Sequence, residues 1–177
     1  MTGKIIRTLQ RYLIPQFLVA IYFSIRYRCL VSMQSRVQLS NRIRFGKGTV
    51  VKPFAILQTQ GGRICTGKNC SISSFNHIST GTADVILGDY VRIGPHVTIL
   101  GGSHNFKSKD QLIIHQGSYH ESVLIGNDVL IGAGAVILPG CKIADGAVIG
   151  ALSLVNCDVP AYAIVAGSPA RVIGHRE

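Results

Sequence analysis

The sequence predicts an all-β chain folded as a parallel β-helix of stacked triangular coils. Three observations predict it: an aliphatic residue returns every six positions, a small or Val residue follows four positions later, and Gly recurs beside the aliphatic member. That member precedes Gly in "LGDYV", "IGPHV", "IGNDV" and "IGAGAV". It falls at Leu87, Ile93 and Ile99, and again at Ile125, Ile131, Ile137, Ile143, Ile149 and Val155. Earlier it falls at Phe45, Val51 and Leu57, then at Thr66, Ile72 and Ile78, with Thr66 the weakest member. The small member runs Thr49, Ala55, Gly61, Cys70, Asn76, Thr82, Val91, Val97, Ser103, Val129, Ala135, Cys141, Ala147, Ser153 and Val159. Strand alternation has period two and a helix matches at three and four, so a step of six fits neither.

Each hexad reads as one short strand plus a corner, and three hexads close one triangular coil. The aliphatic side chain fills a flat side, and the small residue fits where the chain turns. Coils then stack at strand spacing, about 4.8 Å. About five to six coils are expected over residues 37–160, after a basic, apolar N-terminal helical segment at 1–36. A tail at 161–177 is expected to pack on the last coil.

Taken in chain order, the N-terminal stretch "KIIRTLQRYLIPQFLVAIYFSIRYRCL" comes first. It is apolar, with Arg7, Arg11, Arg26 and Arg28 at its margins. Its charge-free core, Tyr12 to Ile25, contains Pro15 and Gln16 and is shorter than the roughly 20 residues a spanning helix needs. Leu18-Val19-Ala20 is a poor signal-cleavage site. Two readings stay open: an interfacial helix, with aromatics and Arg at headgroup level, or a helix capping the core. One element can do both.

Among the coils, the steps Leu57–Thr66 and Ile78–Leu87 are hexads with three extra residues. The step Ile99–Ile125 holds a far larger excess, "GGSHNFKSKDQLIIHQGSYHES" at 101–122, with three of the six histidines. It is read as a protruding loop thrown out from the third coil. The five cysteines (Cys29, Cys65, Cys70, Cys141, Cys157) form no C-x-x-C pair and read as reduced core residues.

Charge is lopsided. Residues 1–83 carry 12 Lys and Arg and no acid, whereas residues 84–177 carry 6 against 8 acids, for a net +10. One end should therefore face an anionic surface or ligand. No helix-turn-helix, zinc-finger or RNP-type signature accompanies it, so no nucleic-acid partner is expected.

The hexads, "GSHNF" at 102–106 before the excursion, and the closing "VPAYAIVAGSPARVIG" at 159–174 resemble the hexapeptide-repeat acyltransferases. The similarity covers residues 40–175 and is greatest to sugar and polysaccharide O-acetyltransferases related to the galactoside and maltose acetyltransferases. It implies a left-handed parallel β-helix, a homotrimer with sites between subunits, and acetyl-CoA as donor with no metal required. The implied reaction is acetyl transfer to a sugar hydroxyl in bacterial surface polysaccharide biosynthesis (capsule, O-antigen or exopolysaccharide). The reduced cysteines and the basic apolar N-terminal segment, rather than the resemblance, lead to the expected place: the cytoplasm, peripheral at the inner face of the cell membrane through residues 1–30.

The resemblance also implies site residues. His104, which begins the loop, is the implied general base for the acceptor hydroxyl, a task suited to an imidazole that titrates near neutral pH. Asn105 would steady its ring or the loop. Ser74 stands where galactoside acetyltransferases carry Asn, ahead of Phe75-Asn76, which puts a galactoside-type acceptor in question. Ser74, Asn76, Asn105, Tyr119 and Glu121 are the implied acceptor contacts. Gly132, Ala133, Gly150 and Ala151 would let the coenzyme approach backbone, with Asn156 and Arg171 near its phosphates. Leu130 replaces the Trp usual in related enzymes. Three rival readings stand beside this one: a serine or amino-sugar N-acetyltransferase of the same fold, a non-catalytic β-helix scaffold, and a zinc enzyme using His115, His120, His77 or His96.

Overall fold

The computed structural model describes residues 14–177. Arg7 and Arg11 of the N-terminal segment lie outside the described residues. The first element is α1 (Gln16–Tyr27), which ends at Arg28 in a left-handed conformation. It buries Val19, Ala20 and Phe23 against the open end of the prism, with Phe23 5.4 Å edge-to-face on Phe45. The capping role is thus real. No described helix is long and apolar enough to cross a membrane.

Six coils follow. The first holds β1 (Leu30–Val31), β2 (Arg36–Val37) and β3 (Ile43–Arg44); the second β4 (Val50–Val51), β5 (Ile56–Gln58) and β6 (Ile64–Thr66). The third holds β7 (Ser71–Ile72), β8 (His77–Ser79) and β9 (Val85–Leu87). The fourth holds β10 (Arg92–Ile93), β11 (Thr98–Leu100), the hairpin β12 (Gly102–His104) and β13 (Ser118–His120), and β14 (Val123–Ile125). The fifth holds β15 (Leu130–Ile131), β16 (Val136–Ile137) and β17 (Lys142–Ile143). The sixth holds β18 (Val148–Ile149) and β19 (Leu154–Val155), after which β20 (Ala163–Ala166) and β21 (Arg171–His175) close the chain.

Every coil strand pairs in parallel with its counterpart one coil away, which makes three flat faces. Face one runs β1-β4-β7-β10-β15-β18-β20, face two β2-β5-β8-β11-β16-β19, and face three β3-β6-β9-β14-β17. β21 turns back antiparallel on β20, and the hairpin strands β12 and β13 pair antiparallel with each other. The tail is tied further by Arg176, 2.9 Å from the Asp128 carboxylate.

All fifteen members of the aliphatic series point inward and are buried. Face one stacks Val31, Val51, Ile72, Ile93, Ile131 and Ile149 in register. Thr66, the weak member, is tolerated because its hydroxyl lies 3.3 Å from that of Thr49, which donates to Gly67 O at 3.0 Å. Buried polar groups need such partners.

Two differences from the sequence reading stand out. The β-helix begins at Leu30, earlier than residue 37, because Val31 and Val37 form a hexad that a longer step to Phe45 separates from the rest. The loop therefore leaves the fourth coil, not the third. In addition, the inward small-residue pattern fails at Gly61, Thr82 and Ser103, which are half-buried or exposed. All three lie at the corner between faces two and three, where every insertion falls.

The other two corners are regular. The corner between faces three and one places Gly48, Asn69, Tyr90, Asp128, Gly146 and Tyr162 at positive φ. The corner between faces one and two does the same with Phe54, Phe75, His96, Gly134 and Leu152. Bulky residues rarely adopt this conformation. Here the rings of Phe54, Phe75 and His96 stack, with centroids 5.1 and 4.9 Å apart, and such contacts offset part of the strain.

Candidate active site

The hairpin β12–β13 rises from the corner between faces two and three. Its register pairs Gly102 with His120, Ser103 with Tyr119, and His104 with Ser118. Side chains alternate along strands, so His104, Ser118 and His120 share one face, and Ser103 and Tyr119 share the other. Tyr119 is thereby separated from His104 within one chain.

His104 is exposed, and its Nδ1 lies 3.4 Å from the Ser118 hydroxyl. Its Nε2 has no hydrogen-bond partner among the described residues. In the tautomer that donates Nδ1–H to the Ser118 hydroxyl, Nε2 carries the lone pair a base requires. Asn105 does not touch the ring. Its backbone N–H donates to Gly117 O and its Nδ2 to Gln116 O, both at 3.1 Å, so it steadies the loop.

Gln116 clamps the loop from within. Its Nε2 donates to Ser108 O at 2.9 Å and Gln111 O at 2.8 Å, while its Oε1 accepts from Ser108 N at 3.0 Å. His115 sits in a short 3-10 turn (Ile113–His115) and is exposed. His120 lies across Gly81, one coil below, and across Gly102; a Cβ on either glycine would collide with its ring. Ser118, Gln116 and Gly81 were missed in the sequence because each acts through pairing across the loop or between coils. The identity of Ser118 as the residue opposite His104 becomes legible only with the hairpin register.

Asn76 is corrected. It is buried inside the corner between faces one and two, where its Oδ1 accepts from Val97 N at 2.7 Å. It supports the fourth coil and cannot reach a solvent-borne sugar. Ser74 lies at the same corner and its carbonyl accepts from His96 N at 3.1 Å. A whole face width therefore separates Ser74 from the hairpin root. Glu121 lies at the hairpin exit, beside Gly140 of the fifth coil.

Gly132, Ala133, Gly150 and Ala151 line the edge between faces one and two, with Ala133 and Ala151 exposed. Stacking explains the glycines: a Cβ on Gly132 would overlap Ala151 and one on Gly94 would overlap Ala133. The same smallness leaves backbone open on that edge. Asn156 is exposed beyond β19, and Arg171 begins β21 with its Nη1 donating to Ala170 O at 2.8 Å. Leu130 is exposed on the outer side of face one. One chain thus carries two separate edges, a His104 edge and a small-residue edge.

The cysteines divide. Burial pushes the Cys29 and Cys141 thiols up to about 11, and raises those of Cys65 and Cys70. Cys65 is only half-buried and Cys157 is exposed, so these two are not core residues. Among the described residues no group of three His, Cys, Asp or Glu side chains could hold a metal ion.

Comparison with known proteins places this architecture. Residues 122–157 match the family model described as bacterial transferase hexapeptide (six repeats). The chain is 30% identical over 141 residues to the dTDP-4-amino-4,6-dideoxy-D-glucose acyltransferase of Escherichia coli, covering 77% of this chain and 73% of that protein. It is 36% identical over 128 residues to the galactoside O-acetyltransferase of Escherichia coli (strain K12), covering 72% of this chain and 61% of that one. Against several other curated relatives it spans about half their length or less. The crystal structure of AntD, an N-acyltransferase from Bacillus cereus in complex with dTDP and 3-hydroxybutyryl-CoA, superposes with a TM-score of 0.76 at 21% identity, covering 85% of this chain and 81% of that one. The repeat match, the extent of the relatives and the coil architecture agree: the chain belongs to the hexapeptide-repeat acyltransferase family.

Proposed function

We propose that this protein transfers an acetyl group from acetyl-CoA to a sugar hydroxyl, with His104 as general base. The observation that carries the reading is the His104–Ser118 pair at the hairpin root. It holds an exposed imidazole with Nε2 free at the largest protrusion of the prism. In the proposed reaction Nε2 takes the hydroxyl proton as that oxygen attacks the thioester carbonyl carbon. The tetrahedral adduct collapses, the C–S bond breaks, and the imidazolium returns the proton to the CoA thiolate. No covalent enzyme intermediate is formed.

The exposed backbone at Ala133 and Ala151 suits the pantetheine arm, and Arg171 suits a phosphate. Since these lie on a different edge from His104, a complete site needs two copies side by side, which favours a homotrimer with three equivalent clefts. Acceptors from bacterial surface polysaccharide synthesis are the proposed class, met at the cytoplasmic face of the membrane. The resemblance to an amino-sugar acyltransferase over 77% of this chain favours one second reading, in which an amine replaces the hydroxyl.

The test is release of the CoA thiol from acetyl-CoA with a panel of glycosides, nucleotide sugars and amino sugars. His104→Ala should cost about 10²–10⁴-fold in kcat while acetyl-CoA binding persists. Unchanged turnover in that variant overturns the assignment of the base, and faster turnover on amines than on alcohols selects the second reading.

A further inference from the structure

The outer side of α1 is unlike an ordinary solvent face. Phe17, Leu18, Ile21, Tyr22 and Ile25 are all exposed there, although Val19, Ala20 and Phe23 already bury the inner side. A helix apolar on both sides needs cover on both. Arg26 is its single charged residue.

Beside this face lies a pocket of about 400 Å³ between α1 and the first coil, with Leu18, Tyr22, Leu39 and Asn41 in its walls. Two arginines, Arg42 and Arg44, follow its Leu39–Asn41 wall along the chain. Arg42 donates to Gly61 O, and Arg44 Nε donates to Asn41 O at 3.4 Å. Neither has a carboxylate partner among the described residues, and no Asp or Glu precedes Asp84 in the sequence. Asp84, two coils above Arg42 in the same column, is already paired with Arg63 at 2.6 Å, so an apolar pocket beside these guanidiniums is complementary to a phosphate head on a hydrocarbon chain.

The position adds to the complementarity. The pocket wall is the corner between faces two and three of the first coil, and His104 leaves the same corner three coils higher. At strand spacing the two are about 14 Å apart along one edge. We propose that the α1 end of the prism docks on an anionic lipid bilayer, with α1 in the headgroup layer, Arg42 and Arg44 on lipid phosphates, and an acyl chain in the pocket. The protein then stands upright on the membrane with the His104 loop about 14 Å above the surface. That consequence for acceptor delivery depends on the proposed acetyl transfer; the docking itself does not.

The test uses the full chain and reads no catalysis. It is co-sedimented with vesicles of phosphatidylcholine alone and of phosphatidylcholine with phosphatidylglycerol. Binding is expected on the anionic vesicles, weakening with salt. The Arg42→Gln/Arg44→Gln variant should lower partitioning roughly 30-fold, from about fivefold per cation. Leu18→Glu/Ile21→Glu should abolish it. Thermal melts establish that each variant folds; should the Glu variant fail to fold, the Arg variant and the salt series decide. Inorganic phosphate should compete no better than chloride at equal ionic strength. The proposal is overturned if the parent stays in the supernatant, if both variants pellet like the parent, or if phosphate specifically displaces the protein. It is equally overturned if the Glu variant changes only the sedimentation velocity, since a second copy would then be what covers α1.

Discussion

Replacing Gly81 by Ala should damage the proposed catalysis without damaging the fold. Gly81 lies in the third coil directly under the His120 ring, and a Cβ there would collide with that imidazole. Its φ is not in the left-handed region, so Ala is admissible in the backbone itself and even narrows the unfolded ensemble. The ring must retreat by more than about 1 Å to reach ordinary contact, and it sits opposite Gly102 on the hairpin that ends in His104. A displacement of that size at a reacting group costs up to about 10²-fold, or about 2.7 kcal/mol in the barrier. Because the ring is exposed and can yield, unfolding free energy should stay within about 1 kcal/mol of the parent. The assay is kcat/KM for CoA-thiol release, with urea unfolding in parallel, in a double-mutant cycle with His120→Ala. If the ring transmits the push, Gly81→Ala has no effect in the His120→Ala background. An equal loss in both backgrounds, or none in either, refutes the reasoning.

Other consequences can be checked more quickly. Ile131→Ala removes a fully buried side chain stacked between Ile93 and Ile149 and should cost 2–5 kcal/mol by urea unfolding; a loss under about 1 kcal/mol would mean the prism interior collapses around it. At about pH 8 a thiol reagent should find one fast-reacting cysteine per chain, Cys157, because burial holds Cys29, Cys65, Cys70 and Cys141 protonated. Two or more fast thiols would contradict this. Asp84 accepts from Arg63 Nε at 3.0 Å and Arg63 N at 2.8 Å, and the guanidinium hydrogen bond holds its carboxyl below the usual value of 3.8. A lowered carboxyl adds stability above about pH 4 and loses it as pH falls through the lower folded value. The stability gap between the parent and Asp84→Asn should therefore shrink on acidification from about pH 7 to about pH 3; a constant gap would show the pairing contributes nothing.

The interior was legible because its physics is local. A flat strand face wants one large aliphatic side chain, and every member from Phe45 to Val155 is buried where the step of six put it. The first coil escaped because Val31 and Val37 are separated from Phe45 by a longer step, and because the flanking sequence reads as the end of a helix. His104 was legible as the root of an excursion. Its partner Ser118 was not, since a residue fourteen positions away becomes a neighbour only once the hairpin register is known. Asn76 misled for the opposite reason. A polar residue beside Phe75 looks like a ligand contact, yet the corner turns its amide inward to carry the backbone of the next coil. Which edge of a prism a residue occupies depends on counting corners, and one uncounted coil or insertion shifts that count.

Confinement of length changes to a single corner has a further implication. The two corners with a left-handed residue on nearly every rung act as fixed hinges, and the ladder hydrogen bonds between rungs depend on them. At the third corner, three rungs carry short additions, one carries a whole hairpin, and pairing on both adjoining faces continues in step above and below. Segments of very different size can therefore be exchanged at that one place while the rest of the column keeps its alignment. Such a scaffold can acquire a new acceptor preference by replacing a single cassette, with the framework that supports it left untouched.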